Sequence, residues 1–446
     1  MPPPPRVAVI GSGFSGLMTA LHLLRAGTVR VRLIEKTANF GRGLAYGTAN
    51  PDHLLNVRAG NMSAWPDEPD HFARWLARHR PEAGAFARRS EYGLYLQGLL
   101  KEATEADDRL SLAAGEAIGL RPDGSGWRLD YAHGPSEAVD AVVLAPGNPP
   151  PARPDGIDDP VARSQIYHPD PWALEPEDSA TNALPILLIG SGLTMVDVAL
   201  SQSQAAPDRP LIALSRRGLA PLAHAATTPV ESQTPPVGAP LTTLLVWLKS
   251  EARRLGWREA IDALRPYTPA IWGAWDPTQR RRFLRHARPY WDAHRHRLAP
   301  DVAQRIQTLL DTGTLTHLTG RIESLTLGAT GLQLRWRPRG RRDIQTLAIG
   351  RAINCTGPAA TIMTHKDQLL ASLCTNGLAR GDALGLGLDV DQEGRLIKGD
   401  GTSHRNLFAV GPVTRGAFWE VTAVPDIRVQ AAHTARAVIQ AQETKG

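Results

Sequence analysis

"VAVIGSGFSGL", Val7 to Leu17, joins a short β-branched run to three glycines and the start of a helical pattern. The spacing Gly11-x-Gly13-x-x-Gly16 gives each glycine a separate task. The first permits a tight turn, the second lets backbone approach a pyrophosphate, and the third lets the helix pack close to the strand. Phe14 and Ser15 lie inside the turn, where a helix begins and its free N–H groups attract anions. "LMTALHLLRAG" continues as a helix ended by Gly27, and "VRVRLIEK" alternates as a second strand ending at Glu35, with Lys36 next. Glu35 stands nineteen residues beyond Gly16, where a carboxylate accepts ribose hydroxyls. Strand, turn, helix, strand and acid together predict a dinucleotide cradle. The plain alternative is a ligand-free tight turn with a solvated Glu35.

The pattern returns at Pro185. "PILLIGSGLTMVDVALSQSQ" reads as strand, turn and helix, with Gly190, Ser191, Gly192 and Thr194 in the turn and Met195 where a third glycine would stand. A helix can start there, but it must stand further from the strand to admit the side chain. The next strand, "LIALSRRG", ends in Ser215-Arg216-Arg217. An acid at that place would repel a 2′-phosphate, whereas guanidinium groups attract one, so NADPH is favoured over NADH. An ordinary basic loop is the alternative.

Later segments complete an α/β fold of two Rossmann-like dinucleotide-binding domains, the second inserted in the first, with an additional helical segment. Residues 1–180 are expected to form the first part of an FAD-binding domain. Residues 181–355 are expected to form an NAD(P)H-binding domain with a helical insertion at about 241–313. Residues 356–446 would complete the first domain. "AVDAVVLAPG", Ala138 to Gly147, reads as one strand, and "NLFAVGPVTRG" leads from a strand through a turn to a final helix after Asp426. Two nucleotide sites have a common purpose if a nicotinamide hands hydride to a flavin beside it.

At 446 residues, with 42% apolar and 21% charged residues, the chain has the makeup of a folded protein of two or three domains. Two cysteines allow no disulfide framework and suggest a reducing compartment. No metal cluster is offered, no signal peptide is visible, and no run reaches the length needed to span a bilayer, so the cytoplasm is expected. The net charge of +6 and the run "TQRRRFLRHARPYWDAHRHR", Thr278 to Arg297, suit anionic ligands or a solvated helix face; nucleic acid is the less favoured partner.

The chain resembles the two-dinucleotide-binding-domain flavoproteins and, within them, the FAD-dependent monooxygenases. The branch holding the bacterial urate hydroxylase and aspartate-type amino-acid N-hydroxylases is marked here by "GRGLAYGTANPDHLLNVRAGNMSAWPDEPDHFARWL", Gly41 to Leu76. "VVLAPGNPP", with Gly147, and "NCTGP", with Gly357, look like the two domain crossovers, although Pro146 stands where threonine is usual. "WEVTAVPDIRVQA" is similar to the C-terminal FAD segment. The resemblance implies that Gly11, Gly13, Gly16 and Glu35 hold FAD and that Asn56, Met62, Ser63 and Trp65 approach the flavin. It also implies that Gly411, Thr422, Pro425 and Asp426 meet the flavin from the other side, while Gly190, Ser191, Gly192, Thr194, Arg216 and Arg217 bind NADPH. Its chemistry would be hydroxylation of a small nitrogen-containing substrate, a urate-like purine, amine or amino acid, by dioxygen through a flavin C4a-hydroperoxide. Two-domain flavoproteins often pair, so a homodimer is one assembly open to the chain.

Read as residues, Asn56 can hydrogen-bond a ring edge, Trp65 can cover a flat face, and Asp426 suits a helix cap better than a base. Trp272, Trp275, Tyr290 and Trp291 suit either a planar substrate or the core of a helical subdomain, and Arg295 or Arg297 could meet an anionic one. Two rivals remain: an FAD-dependent reductase without oxygen insertion, and a non-enzymatic nucleotide- or RNA-binding protein.

Overall fold

The computed structural model describes residues 3–27, 29–48, 50–174, 183–226, 231–359 and 367–444. The expected boundary at 180/181 lies outside them. The first half supplies strands β1 (Arg6–Ile10), β2 (Arg30–Glu35), β3 (Leu110–Ala114), β4 (Ala117–Asp123), β5 (Gly126–Tyr131), β6 (Glu137–Val139) and β7 (Ala141–Leu144). There follow β8 (Tyr167–His168), β9 (Ile186–Ile189), β10 (Leu211–Ser215), β11 (Leu315–Leu327), β12 (Leu332–Pro338), β13 (Gln345–Ile349) and β14 (Arg351–Asn354), then β15 (Arg395–Ile397) and β16 (Ser403–Ala409).

These strands make two large sheets and a small one. The first has the order β15-β16-β7-β1-β2-β3, the second β13-β12-β11-β10-β9-β14-β8, and β4-β5-β6 form the third. The last strand, β16, thus pairs in parallel with β7 of the first sheet, while β8 to β14 build the second; β8 pairs with β14, so the chain has already entered the second sheet before the expected 180/181 boundary. Each sheet has a parallel centre, β2-β1-β7-β16 in one and β11-β10-β9-β14 in the other.

Val7, Ala8 and Val9 of β1 are fully buried, so both faces of the strand need cover. One face carries the first helix, Phe14–Ala26, and the final helix, Val424–Glu443. Leu17 and Leu24 of the first share an apolar cluster with Ala431, Ala435 and Val438 of the final helix. The other face is covered by Leu129 of the small sheet and by Leu369 and Leu373 of helix Gln368–Thr375.

The expected single strand Ala138–Gly147 divides. β6 pairs with β5 in the small sheet and β7 enters the first sheet. The final helix starts at Val424, before Asp426, and Ala423 is its uncapped N-cap.

Between Leu241 and Asp311 the chain is helical, as its pattern suggested. Trp272, Trp275, Phe283 and Trp291 form the insert's core together with Trp419 and Leu386 from the C-terminal segment. Trp272 stacks on Trp419 at 4.9 Å between centroids and donates its indole N–H to the Gly416 carbonyl at 2.9 Å. The core role therefore wins over substrate stacking for Trp272, Trp275 and Trp291, which are all nearly inaccessible.

Candidate nucleotide-binding sites

The two glycine turns are built alike. Gly11 has φ +98°, and a Cβ there would lie 2.2 Å from the Ala145 carbonyl oxygen at the end of β7. Gly190 has φ +125°, and its Cβ would lie 2.5 Å from the Cys355 carbonyl oxygen just past β14. In each sheet the strand beside the turn therefore reserves the position for glycine.

The helices leaving these turns begin at N-caps Gly13 and Gly192, with no side-chain cap and no acid in the first turn. Some helices are capped, by Asp158, Asp276 and Asp367, and others, such as Leu241–Leu255 and Arg288–Arg295, are not; what sets the helices after Gly13 and Gly192 apart is the glycine turn in front of each. Two uncapped, acid-free N-termini leave N–H groups and the positive end of the helix dipole for a phosphate.

The third position differs between the cradles. A Cβ at Gly16 would come 1.8 Å from the Gly11 carbonyl oxygen, so the first helix lies directly on its turn. In the second cradle Met195 is fully buried in the apolar cluster with Ile186, Leu188 and Ala199. That helix starts at Leu193 despite the missing glycine. Ser191 is held by a bond from its hydroxyl to the Leu219 carbonyl at 2.6 Å, and Thr194 is half-buried beside it.

Around the first turn, Glu35 folds its carboxylate back to accept from Ser12 N–H at 2.9 Å and Ser12 Oγ at 3.0 Å, and from the Lys36 N–H at 3.0 Å. Lys36 itself is exposed. Phe14 is a core residue against Tyr92. Buried Ser15 lies under Gly411, where an added Cβ would be 2.3 Å from Ser15 Oγ. The Gly411 N–H donates to Gln430 of the final helix at 2.8 Å. The C-terminal segment thus closes directly onto the start of the first helix.

The two crossovers run side by side. Asn354 Nδ2 donates to the Ala152 carbonyl at 2.9 Å and Ala359 N–H to the Pro150 carbonyl at 3.1 Å, so the chains after Gly147 and before and after Gly357 are tied together.

The segment Asn56–Trp65 departs from its expected use. Trp65 has no open face: the Arg25 guanidinium lies 3.3 Å from its ring centroid, His22 meets it edge-on at 5.2 Å, and the residue is 6% exposed. The ring expected to cover a flavin instead packs on the first helix, a cation–π contact that local sequence does not reveal. Met62 and Ser63 are also buried, and Ser63 Oγ is spent on the Glu68 carbonyl at 2.6 Å and the Trp65 N–H at 3.1 Å. Asn56 is half-buried, with its carbonyl 3.0 Å from His224 Nε2 and its side-chain amide without a protein partner among the described residues. Arg428 donates to the Ser63 carbonyl at 3.0 Å, bringing this segment to the final helix.

At that helix Thr422 is exposed and Pro425 half-buried. Asp426 is not the cap. It pairs with Arg265 of the helical insert at 3.0 Å; burial pushes its carboxyl up, and the Arg265 charge opposes the rise. The basic run of the insert is also largely spent within the chain. Arg295 pairs with Glu420 at 3.2 Å and Arg297 with Asp262 at 2.9 Å, both arginines being nearly inaccessible, while Arg280 and Arg281 donate to the Trp272 and Ala383 carbonyls. Arg295 and Arg297 are therefore not free to meet a substrate anion, whereas Arg285 of the same run is exposed and faces a cavity at the end of β10.

A polar cluster joins Asp52, His53 and Arg89 to the helix of the second cradle and the insert. Arg89 and Asp197 pair at 2.7 Å with both side chains about nine-tenths inaccessible. His53 Nε2 lies 2.9 Å from Ser201 Oγ, and Asp52 pairs with Arg305 at 3.0 Å. Burial pushes the Asp197 carboxyl up against the pull of Arg89. None of these residues has a local motif, because each finds its partner more than a hundred residues away.

Residues 8–149 match the FAD-NAD(P)-binding family model. No curated protein matches the chain. Among solved structures, it is similar to L-lysine 6-monooxygenase from Pseudomonas syringae, with 16% identity over 98% of this chain and 99% of that one and a TM-score of 0.69. It is similar to ornithine N-hydroxylase from Kutzneria sp. 744, with 14% identity over the whole of both chains and a TM-score of 0.67. Bacillithiol disulfide reductase from Staphylococcus aureus shares the architecture at 12% identity over 98% of both chains, with a TM-score of 0.59. The chain has the two-domain dinucleotide-binding fold of these proteins, with the Gly11 cradle inside the family match.

Among the described residues, no helix is long and apolar enough to cross a membrane.

Proposed function

We propose that the chain is an FAD-dependent, NADPH-oxidising monooxygenase that hydroxylates a small nitrogen-containing molecule. The observation that carries this reading is the pair of glycine-turn cradles whose neighbouring crossover segments, after β7 and at the end of β14, are hydrogen-bonded to one another through Asn354 and Ala359. One nucleotide in each cradle would bring two redox rings together. The likeness in fold to the lysine and ornithine hydroxylases favours oxygen insertion into an amine or amino acid.

Bound FAD would supply hydride acceptance and oxygen activation; the chain's own groups would hold and shield it. Gly11, Gly13 and Gly16 would admit the diphosphate to the N–H groups of the first helix, and Glu35, already braced by Ser12 and Lys36, would orient the ribose. Asn56, whose amide has no protein partner among the described residues, would be available to hydrogen-bond the ring. The Arg265–Asp426 pair keeps the first turn of the final helix compensated in charge, leaving its N-terminus to stabilise negative charge on a reduced ring. A thiol relay has no support at Cys355: burial first, and the Asp197 charge second, push its thiol far above the usual range.

The test is aerobic turnover of the FAD-loaded protein with NADPH and a panel of urate, small amines and amino acids, counting hydroxylated product per NADPH. Substrate-dependent oxidation with matching product is expected. Peroxide as the only product with every compound would favour the reductase or oxidase reading.

A further inference from the structure

A cavity of about 870 Å³ opens where β10 ends, bordered by arginines from four separate segments. That volume is within the range of small-molecule sites, roughly 300–1,000 Å³. Arg216 and Arg217 come from the end of β10, Arg285 from the insert, and Arg321, Arg339 and Arg341 from β11 and the turn after β12.

These arginines are not equivalent. Arg217 donates to the Arg285 and His286 carbonyls at 2.9 and 3.4 Å, so it holds the end of helix Pro277–His286. Arg337 is paired with Glu323 at 3.0 Å. Among the described residues, the guanidinium groups of Arg216, Arg321, Arg339 and Arg341 have no hydrogen-bond or ion-pair partner.

Sheet register explains how distant residues meet. Ser215 pairs with Thr319 on the neighbouring strand. A Cβ at Gly218 would fall 2.2 Å from Thr319 Oγ1, so the arginine-bearing turn lies against that residue. Arg339 N–H donates to the Thr319 carbonyl at 2.9 Å from the opposite side. Arg216 and Arg339 therefore leave the sheet at one level around Thr319.

We propose that Arg216, Arg339 and Arg341, with Arg321 beside them, form the site that reads the 2′-phosphate of NADPH, and that Arg217 is a positioning residue for the cavity wall. This rests on the proposed use of NADPH. A phosphomonoester dianion takes several charge-assisted bonds from guanidinium forks, and the end of this strand is where the adenosine ribose would lie. The hairpin between β12 and β13 would then determine nucleotide specificity although it belongs to no glycine motif.

The test uses the FAD-loaded protein and Arg339→Gln/Arg341→Gln. Calorimetric titration with 2′-AMP, 5′-AMP and inorganic phosphate reads the site without turnover. The native protein should prefer 2′-AMP to both others, and the double variant should bind it at least about tenfold more weakly. The ratio of kcat/KM for NADPH to that for NADH should fall by a similar factor. Equal binding of all three ligands by the native protein, or an unchanged 2′-AMP affinity in the variant, overturns the proposal even if NADPH reduces the flavin. If neither nicotinamide nucleotide reduces the flavin, the functional reading fails while the 2′-AMP result still decides the anion site.

Discussion

The third position of each glycine turn gives a reciprocal prediction. Gly16→Ala places a Cβ 1.8 Å from the Gly11 carbonyl oxygen, about 1.6 Å short of ordinary contact at 3.4 Å. The obstacle is backbone at the floor of the cradle, so the first helix must retreat by roughly that shortfall and take its N–H groups away from the diphosphate. Overpacking of this kind costs ~1–3 kcal/mol, and a backbone clash belongs at the upper end. Met195→Ala acts in the opposite sense, emptying a fully buried site at a cost of ~2–5 kcal/mol without crowding its turn. Urea denaturation of both variants, with flavin absorbance per protein measured after purification, separates the effects. Gly16→Ala should lose most of its FAD as well as stability, while Met195→Ala should lose stability and keep its FAD. A Gly16→Ala protein with full flavin content and an unchanged midpoint would refute this account of the first cradle.

Arg89→Met leaves Asp197 buried beside the second cradle without its cation, an expected loss of ~3–5 kcal/mol by denaturation; Arg89→Met/Asp197→Leu should recover most of it. Burial first, and Arg25 second, push the His22 imidazole down to about 4. Since an unfolded histidine takes its proton near pH 6.5, the neutral folded ring makes stability fall as pH drops from about 6.5 towards 4. Melting temperatures of His22→Gln should decline less over that window, and an equal decline would contradict the assignment. Trp272→Ala should cost ~3–5 kcal/mol and speed amide exchange through the helical insert, because it removes the ring stacked on Trp419.

The elements legible in the sequence were those whose cause is local. The Gly11 and Gly190 turns, Glu35 at its strand end and the helical insert all follow from short-range spacing, and the structure has each in place. Trp65, Asp426, Arg295 and Arg217 were misread for one physical reason. Each is an amphipathic or charged side chain whose partner, Arg25, Arg265, Glu420 or the end of helix Pro277–His286, is distant in sequence. The arginine hairpin after β12 was visible as "RPRGRR", Arg337 to Arg342, but only the β10–β11–β12 register sets it beside Arg216. The division of Ala138–Gly147 likewise depends on which neighbours each half pairs with.

The most direct measurement is anaerobic rapid mixing of the FAD-loaded protein with NADPH, following the visible flavin absorbance. Cooperation of the two cradles predicts complete bleaching in a phase that saturates with NADPH and slows when Gly190 is replaced by alanine. A flavin that stays oxidised, or bleaches at the same rate in the Gly190→Ala protein, would contradict it.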